Sequence, residues 1–300
     1  MVKDLREKTN AGMMDCKKAL QETNGDFEAA IEWLRVKGLA SAAKKGDRIA
    51  TEGLVSATVA NGGKTAVLVE INSETDFVAR NDGFKALVQT IANHIATLKA
   101  IPSEAAGLLE TTLPSGVKVD TYLKEAIAKI GENLVIRRFQ KVDTDGYAHT
   151  YIHGDGKIGV LVEVSAKNAN EAVKTFANDI CLHVAAMNPL ALSPDQVAPE
   201  VIEKEKEVLK AKALEQGKKP EMLDKIVAGQ INKFLAESCL LEQSFVKNPD
   251  IKVKEFLAQQ VKAAGEAFTL KRFVRFELGE GLQKKENNFA EEVAAQTKGH

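Results

Sequence analysis

The strongest constraint on the fold of this chain is that part of its sequence pattern occurs twice. Residues 66–71 read AVLVEI and residues 159–164 read GVLVEV, and each string follows a glycine-containing turn. Residues 131–139 (GENLVIRRF) match residues 265–273 (GEAFTLKRF), and each of these follows a helical stripe of apolar residues. The repeated order is hairpin, helix, helix and strand. It predicts a small antiparallel sheet with helices on one face, built twice.

The spacing of the matching strings locates an insertion in the second copy. The offset is 93 residues for the first pair and 134 for the second, so the second copy holds about 41 additional residues. They fall within residues 193–238, where helical patterns flank a Gly-Lys-Lys-Pro turn and predict two antiparallel helices. The predicted class is α+β. The expected parts are a helical head (1–38), a linker (39–52), a first core subdomain (53–142), a second core subdomain (143–192 and 239–278), an inserted helical hairpin (193–238) and a C-terminal module with a short helix (279–300).

The head is predicted to contain three helices. The second helix should end at Asn24 and Gly25, because glycine adopts the left-handed conformation that closes a helix. Asp26 is then expected to cap the third helix. A bundle this short buries little apolar surface, so we expect it to dock on another surface.

Composition and charge disfavour several functional classes. The formal net charge is −1, and no run of lysine and arginine forms a basic patch, so direct nucleic-acid binding is not expected. No stretch of eighteen apolar residues occurs, which argues against a membrane span. The N-terminus lacks the apolar core of a secretory signal. The cysteines at positions 16, 181 and 239 have no CxxC spacing, and they predict a reduced, cytoplasmic environment.

Several strings resemble catalytic motifs but have the wrong context. Residues 154–159 (GDGKIG) match GxGxxG, yet they precede a predicted strand rather than a helix, so a hairpin turn is favoured over a dinucleotide site. The chain contains no GxSxG and no HExxH string. His149 and His153 lie on one predicted strand face without a third ligand nearby, which disfavours metal binding. We therefore expect no enzymatic activity and no cofactor.

The connection after the first repeated strand is the best candidate for a functional site. Asp76 and Phe77 lie there, between a predicted buried strand and a predicted helix. One interpretation is structural, with Asp76 capping the helix and Phe77 in the core. The offset of 93 residues places residues 168–171 (NANE) opposite residues 75–78 (TDFV), so the second copy keeps neither residue. This difference favours an exposed Phe77 that inserts into a partner.

The sequence as a whole resembles the bacterial translation elongation factor Ts family. The resemblance is carried by residues 6–20 (REKTNAGMMDCKKAL), 75–78 (TDFV), 129–133 (KIGEN), Arg137 with Arg138, and 276–281 (FELGEG). It implies a ubiquitin-associated-like head, a duplicated core, a helical hairpin and a C-terminal helix. It also implies a guanine-nucleotide exchange factor for elongation factor Tu, with neither a nucleic acid nor a membrane as a direct partner.

The resemblance also implies roles for individual residues. Asp76 and Phe77, flanked by Thr75 and Val78, would enter the GTPase domain beside its Mg²⁺ and phosphate-binding loop. Arg6, Met13 and Met14 would contact the same domain from the head, although the methionines could instead pack inside the bundle. His153 would meet the distal domain of the GTPase. The competing function is a non-catalytic scaffold in which the head is a ubiquitin-associated-type binding module.

Overall fold

The computed structural model describes residues 1–9 and 11–283 and contains both helices and antiparallel sheets, as expected for an α+β protein. The head contains α1 (Val2–Thr9), α2 (Met13–Glu22) and α3 (Phe27–Ala43). Its core is formed by apolar side chains from all three helices. They are Leu5, Cys16, Ala19, Leu20, Ala30 and Leu34.

The predicted signals between α2 and α3 are present. Asn24 and Gly25 both have positive φ, at 50° and 82°, and reverse the chain after α2. The Asp26 carboxylate then accepts a hydrogen bond of 2.9 Å from the Ala29 N–H, which satisfies one free donor at the start of α3. The local sequence therefore specifies where these two helices end and begin.

Two three-stranded antiparallel sheets form the centre of the protein. Both have a hairpin followed, after helices, by a third strand that pairs with the second strand of the hairpin. A bulge interrupts the register between Glu70 and Ile71 in the first sheet and between Glu163 and Val164 in the second, at equivalent positions of the repeat. The strands of the first sheet are β1 (Glu52–Ala60), β2 (Thr65–Ser73) and β3 (Val135–Asp143), and those of the second are β4 (Tyr147–His153), β5 (Ile158–Val164) and β8 (Leu270–Glu277).

The sheets pack face to face, which the repeat pattern did not predict. All nine residues of β2 are buried. Val67 and Val69 face helices, while Leu68 packs with Leu161 of β5 between the sheets. The expected sheet with helices on one face is therefore correct for the outer face, and the inner face is covered by the other sheet. This double burial explains why β2 is almost continuously apolar although antiparallel strands usually alternate.

Helices cover the outer face of each sheet. The resulting layers are helix, sheet, sheet and helix. The short β6 (Ser244–Phe245) and β7 (Asn248–Lys252) pair beside the second sheet. Over the first sheet lie α5 (Asp82–Thr97), α6 (Ala105–Leu109) and α7 (Val119–Ile130), and over the second lie α8 (Glu171–Met187) and α11 (Val253–Ala264); α4 (Asp76–Arg80) precedes α5.

An antiparallel helical pair lies within the predicted insertion. It consists of α9 (Pro199–Glu215) and α10 (Leu223–Ser238), which pack against each other. At its base Ala191 and Cys239 form a parallel bridge, and the Leu240 N–H donates to the Ala191 carbonyl at 2.9 Å. The chain therefore leaves and re-enters the second subdomain at one point.

The third helix of the head differs from its predicted length. It continues to Ala43, although the linker was expected to begin at residue 39. The extension packs on α7, where a Cβ added to Gly38 would lie only 2.9 Å from the Ala128 Cβ, and Ala42 is buried in the core of the first subdomain. Tertiary burial thus stabilises helical turns that lack an apolar stripe of their own.

The C-terminal helix predicted within residues 279–300, at about 288–297, lies outside the described residues. Across residues 1–9 and 11–283, no helix has both the length and the apolar character that crossing a membrane requires. Cys16, Cys181 and Cys239 are all buried free thiols.

Candidate functional site

The candidate site is the short helix α4 between β2 and α5. Thr75 caps it, since its hydroxyl accepts a hydrogen bond from the Val78 N–H at 3.5 Å. Asn81 ends α4 and caps α5 by accepting hydrogen bonds from the N–H groups of Gly83 and Phe84. The capping role that sequence analysis considered for Asp76 therefore belongs to Thr75 and Asn81.

Phe77 points away from the protein. Its exposed fraction is 78%, the highest of any large apolar residue that the structure describes. Asp76 is half-buried and pairs with Arg80 one turn later at 2.8 Å, an exposed ion pair of small energetic value. Val78, the next residue, packs against the core of the first subdomain. The interpretation of Phe77 as a core residue is wrong, because its ring is presented to solvent.

A carboxylate from another part of the first subdomain holds the start of α4. Glu132 accepts hydrogen bonds from the Thr75 N–H at 3.0 Å and from the Thr75 hydroxyl at 2.6 Å. Gly131, with φ of 92°, ends α7 in the left-handed conformation and turns the chain so that Glu132 reaches this position. The sequence repeats the Gly-Glu string that contains these residues, but no local pattern predicts this role of Glu132.

The next residue ties the same loop to the segment that follows the head. The Asn133 N–H donates to the Glu74 carboxylate at 2.6 Å. Its buried side-chain amide donates to the carbonyls of Arg48 at 2.7 Å and Gly46 at 3.3 Å. Asn133 therefore connects the end of the head, the loop before α4 and the end of α7.

The second subdomain lacks a helix at the position of α4. Asn170 caps α8 as Asn81 caps α5, and the core positions that follow correspond when these two residues are superposed in sequence. The offset there is 89 residues rather than 93, so the connection in the second copy is four residues shorter. The alignment of residues 168–171 with residues 75–78, which assumed an offset of 93, is therefore wrong for this connection. Asp76 and Phe77 lie in a segment that the second copy does not contain.

An open cleft of about 980 Å³ adjoins α4. It is lined by Asp76 and Phe77 and by Gly154 and Asp155, which lie in the turn after β4. Lys157 lines the same cleft, so charges of both signs surround an apolar edge formed partly by Ile49 and Leu278. The cleft brings parts of both subdomains next to the exposed ring.

The predicted contact residues of the head are exposed. Met13 and Met14 are 51% and 72% exposed at the start of α2, so they are not packed inside the bundle. Arg6 is exposed on α1. These side chains are available for contact with a partner.

The histidines of β4 have different environments. His149 is half-buried, and burial lowers its pKa even though a hydrogen bond to the Asn178 side chain opposes that effect. His153 is exposed at the strand end, with its Nδ1 2.9 Å from the Tyr151 hydroxyl. In the part of the chain that the structure describes, no group of histidine, cysteine and acidic residues is arranged to hold a metal ion.

Known proteins resemble this chain over the regions described above. The family model described as Elongation factor TS matches residues 74–280 of this chain, a range that includes α4, Glu132 and the second sheet. Elongation factor Ts from Bdellovibrio bacteriovorus is 57% identical over 306 aligned positions, which cover 100% of this chain and 98% of that relative.

Proposed function

This chain belongs to the elongation factor Ts family and is thus an elongation factor of protein synthesis, and we propose that it acts as a guanine-nucleotide exchange factor. Its partner is elongation factor Tu, which it binds in both GDP-bound and nucleotide-free forms in the cytoplasm. It catalyses no covalent step. It accelerates GDP release by displacing the bound Mg²⁺ and disturbing the phosphate site.

The observation that carries this proposal is the presentation of Phe77. Phe77 is 78% exposed, so covering its ring with a partner lowers the free energy of the complex. Helix α4 fixes the direction in which the ring points. Asp76 places a carboxylate beside the ring, and its pairing with exposed Arg80 is weak enough to be exchanged for a contact on the partner. The two residues together suit insertion next to a metal and phosphate site.

Nucleotide exchange follows from the thermodynamic linkage between the binding of GDP and the binding of the exchange factor to the GTPase. Mg²⁺ bridges phosphate oxygens and protein side chains, so a group that displaces it weakens the binding of the nucleotide. The exchange factor and GDP must then weaken each other's binding by the same factor. A thousandfold effect requires about 4 kcal/mol.

Phe77 alone does not supply all of this free energy. Burying one phenylalanine contributes about 1.5–3 kcal/mol. The rest must come from other contacts, and we propose Met13, Met14 and Arg6 in the head and His153 on the second hairpin. Their exposure, and the cleft that joins α4 to the turn after His153, support this assignment.

We also infer that the core is a duplicated unit with a ubiquitin-associated-like head attached. Support comes from equal strand order, from bulges at equivalent positions and from asparagine caps on α5 and α8. In this scheme the first copy carries the exchange residues, and the second copy adds the turn after β4 to the lining of the cleft.

The direct test replaces Phe77 with alanine. Release of a fluorescent GDP from elongation factor Tu is followed by stopped flow at saturating concentrations of the variant. We expect Phe77→Ala to slow stimulated release by at least about tenfold, because the buried ring is worth more than 1.4 kcal/mol. Leu190→Ala is the control, since it removes another exposed apolar side chain far along the sequence from α4. Stimulated release at the wild-type rate by Phe77→Ala would refute the proposal.

A further inference from the structure

We propose that Glu132 is a positioning residue for exchange, which holds α4 in the orientation that aims Phe77 at the partner. The inference rests on the proposed function and adds a residue to it. Glu132 does not reach the exposed ring itself. It acts through Thr75, the residue that begins α4.

The geometry makes Glu132 an anchor for the first turn of α4. One carboxylate oxygen accepts from the Thr75 N–H at 3.0 Å, and the other accepts from the Thr75 hydroxyl at 2.6 Å. The same hydroxyl accepts from the Val78 N–H, so the cap of α4 is itself held in place by Glu132. Bidentate hydrogen bonds to a carboxylate are stronger and more directional than neutral ones.

Such an anchor is needed because α4 has only five residues. An isolated helix of this length is unstable in water, since one or two hydrogen bonds do not compensate for the entropy of fixing the chain. Inside the protein, α4 is held by Ala79 and Val78 on its inner side and by Glu132 at its start. Removing the Glu132 carboxylate leaves the Thr75 N–H and hydroxyl without these acceptors and frees the first turn to fray.

The second subdomain provides a natural control for this contact. Glu266 follows Gly265, which ends α11 in the left-handed conformation, just as Glu132 follows Gly131. Glu266 accepts hydrogen bonds from the backbone N–H of Asn168 at 3.1 Å and from its side-chain amide at 3.2 Å. Both glutamates are half-buried. The contact is therefore repeated, but only in the first copy does it precede a helix that carries an exposed aromatic ring.

The experiment compares Glu132→Ala with Glu266→Ala in the full chain. Two quantities are measured: amide hydrogen exchange over residues 75–80, and the rate of GDP release from elongation factor Tu as a function of factor concentration. We expect Glu132→Ala to speed amide exchange over 75–80 and to lower the saturating release rate by about tenfold, as loss of a charge-assisted bidentate contact predicts. The half-saturating concentration should stay within about twofold, since the other contact surfaces are intact. Glu266→Ala should leave both quantities at wild-type values.

A conservative variant keeps the test informative if the alanine variant does not fold. Glu132→Gln preserves the volume of the side chain and one acceptor for the Thr75 N–H, so it should retain more of the saturating release rate than Glu132→Ala. Equal losses in Glu132→Ala and Glu266→Ala would overturn the proposal, because the contact would then be only structural. The proposal would also be overturned if a folded Glu132→Ala or Glu132→Gln variant showed faster amide exchange over residues 75–80 but stimulated GDP release at the wild-type rate.

Failure of this inference is distinguishable from failure of the proposed function. If Phe77→Ala slows release but Glu132→Ala does not, the exchange residues stand and only the positioning role is wrong. If the Phe77→Ala variant stimulates GDP release from elongation factor Tu at the wild-type rate, the proposed function fails and the positioning role fails with it.

Discussion

At the scale of single residues, buried glutamates join the strands and one of them joins the two sheets. Glu70 is fully buried and accepts hydrogen bonds from Arg137 at 2.8 Å, Arg138 at 2.6 Å and the Gly279 N–H at 2.9 Å. Burial alone would raise its pKa, but these hydrogen bonds and the positive charges hold the pKa below its usual value. Gly279 follows the last strand of the second sheet, so Glu70 also connects the sheets. Glu163 occupies the equivalent position in β5 and pairs with Lys271 and Arg272.

Neutralising these two glutamates should have unequal effects on stability. We expect Glu70→Gln to lower the free energy of unfolding by about 3 kcal/mol, because it leaves Arg137, only 21% exposed, without a counter-charge. Arg138, 28% exposed, then keeps only its ion pair with the exposed Glu280 carboxylate at 3.2 Å. Glu163→Gln should cost about 1 kcal/mol, since its partners are 50% and 53% exposed and remain hydrated.

Urea unfolding of both variants measures this difference as a shift in midpoint at unchanged slope. The two variants control for each other, because both remove the same charge from the same position of the repeat. An equal or larger loss in Glu163→Gln would contradict the account of Glu70.

At the scale of elements, the protein consists of a repeated frame with different additions in each copy. The first copy carries α4, and the second carries the α9–α10 hairpin. The base of the hairpin is tied by Leu240 to Ala191 and by the Leu190 N–H to the Ser238 carbonyl at 2.8 Å. Val197, Ile202 and Leu235 pack there around buried Cys239. The hairpin is thus attached at a closed base that does not include α4.

Removing the hairpin should therefore spare most exchange activity. Residues 199–234 are replaced by a short Gly-Ser linker, which retains Val197 and Leu235 beside Cys239. We expect stimulated GDP release within about threefold of wild type, because α4, the cleft and the head are unchanged. Circular dichroism and thermal unfolding serve as the folding control. If a folded deletion variant no longer stimulated GDP release from elongation factor Tu, the hairpin would belong to the exchange machinery.

At the scale of the whole molecule, the sandwich brings distant segments to one surface. The Val55 N–H donates to the Gly156 carbonyl at 2.7 Å, so a backbone hydrogen bond joins β1 of the first sheet to the turn between β4 and β5 of the second, beside the cleft. Asn133 connects the same region to the segment after the head. Contacts on several modules can thus contribute free energy to one displacement at the nucleotide site of the partner.

The sequence predicted local features well and tertiary features poorly. The cap at Asp26, the repeated strands and the antiparallel helices of the insertion were predictable, because caps and apolar periodicity are local signals. The helical turns of α3 beyond residue 38 were not, since they depend on burial against α7. Helix α4 was missed because five residues are too few to show a period. The second covering layer did have a sequence signal, because the apolar run of β2 is almost unbroken and the whole strand is buried.

The site was predictable in its exposed residues and not in its support. Phe77 was assigned to the surface from its absence in the second copy, and its ring is exposed. Glu132 was not assigned because its contact with Thr75 spans 57 positions and no local pattern reports it. The recurrence of Gly-Glu at residues 131–132 and 265–266 was the available signal.

The most direct measurement of the central claim is the dissociation constant of this protein for GDP-loaded and for nucleotide-free elongation factor Tu, with and without Phe77. Linkage requires the ratio of the two constants to equal the factor by which the protein weakens GDP binding. If Phe77 and α4 cause the displacement, Phe77→Ala should reduce that ratio by at least about tenfold. An unchanged ratio in the Phe77→Ala variant would contradict the account.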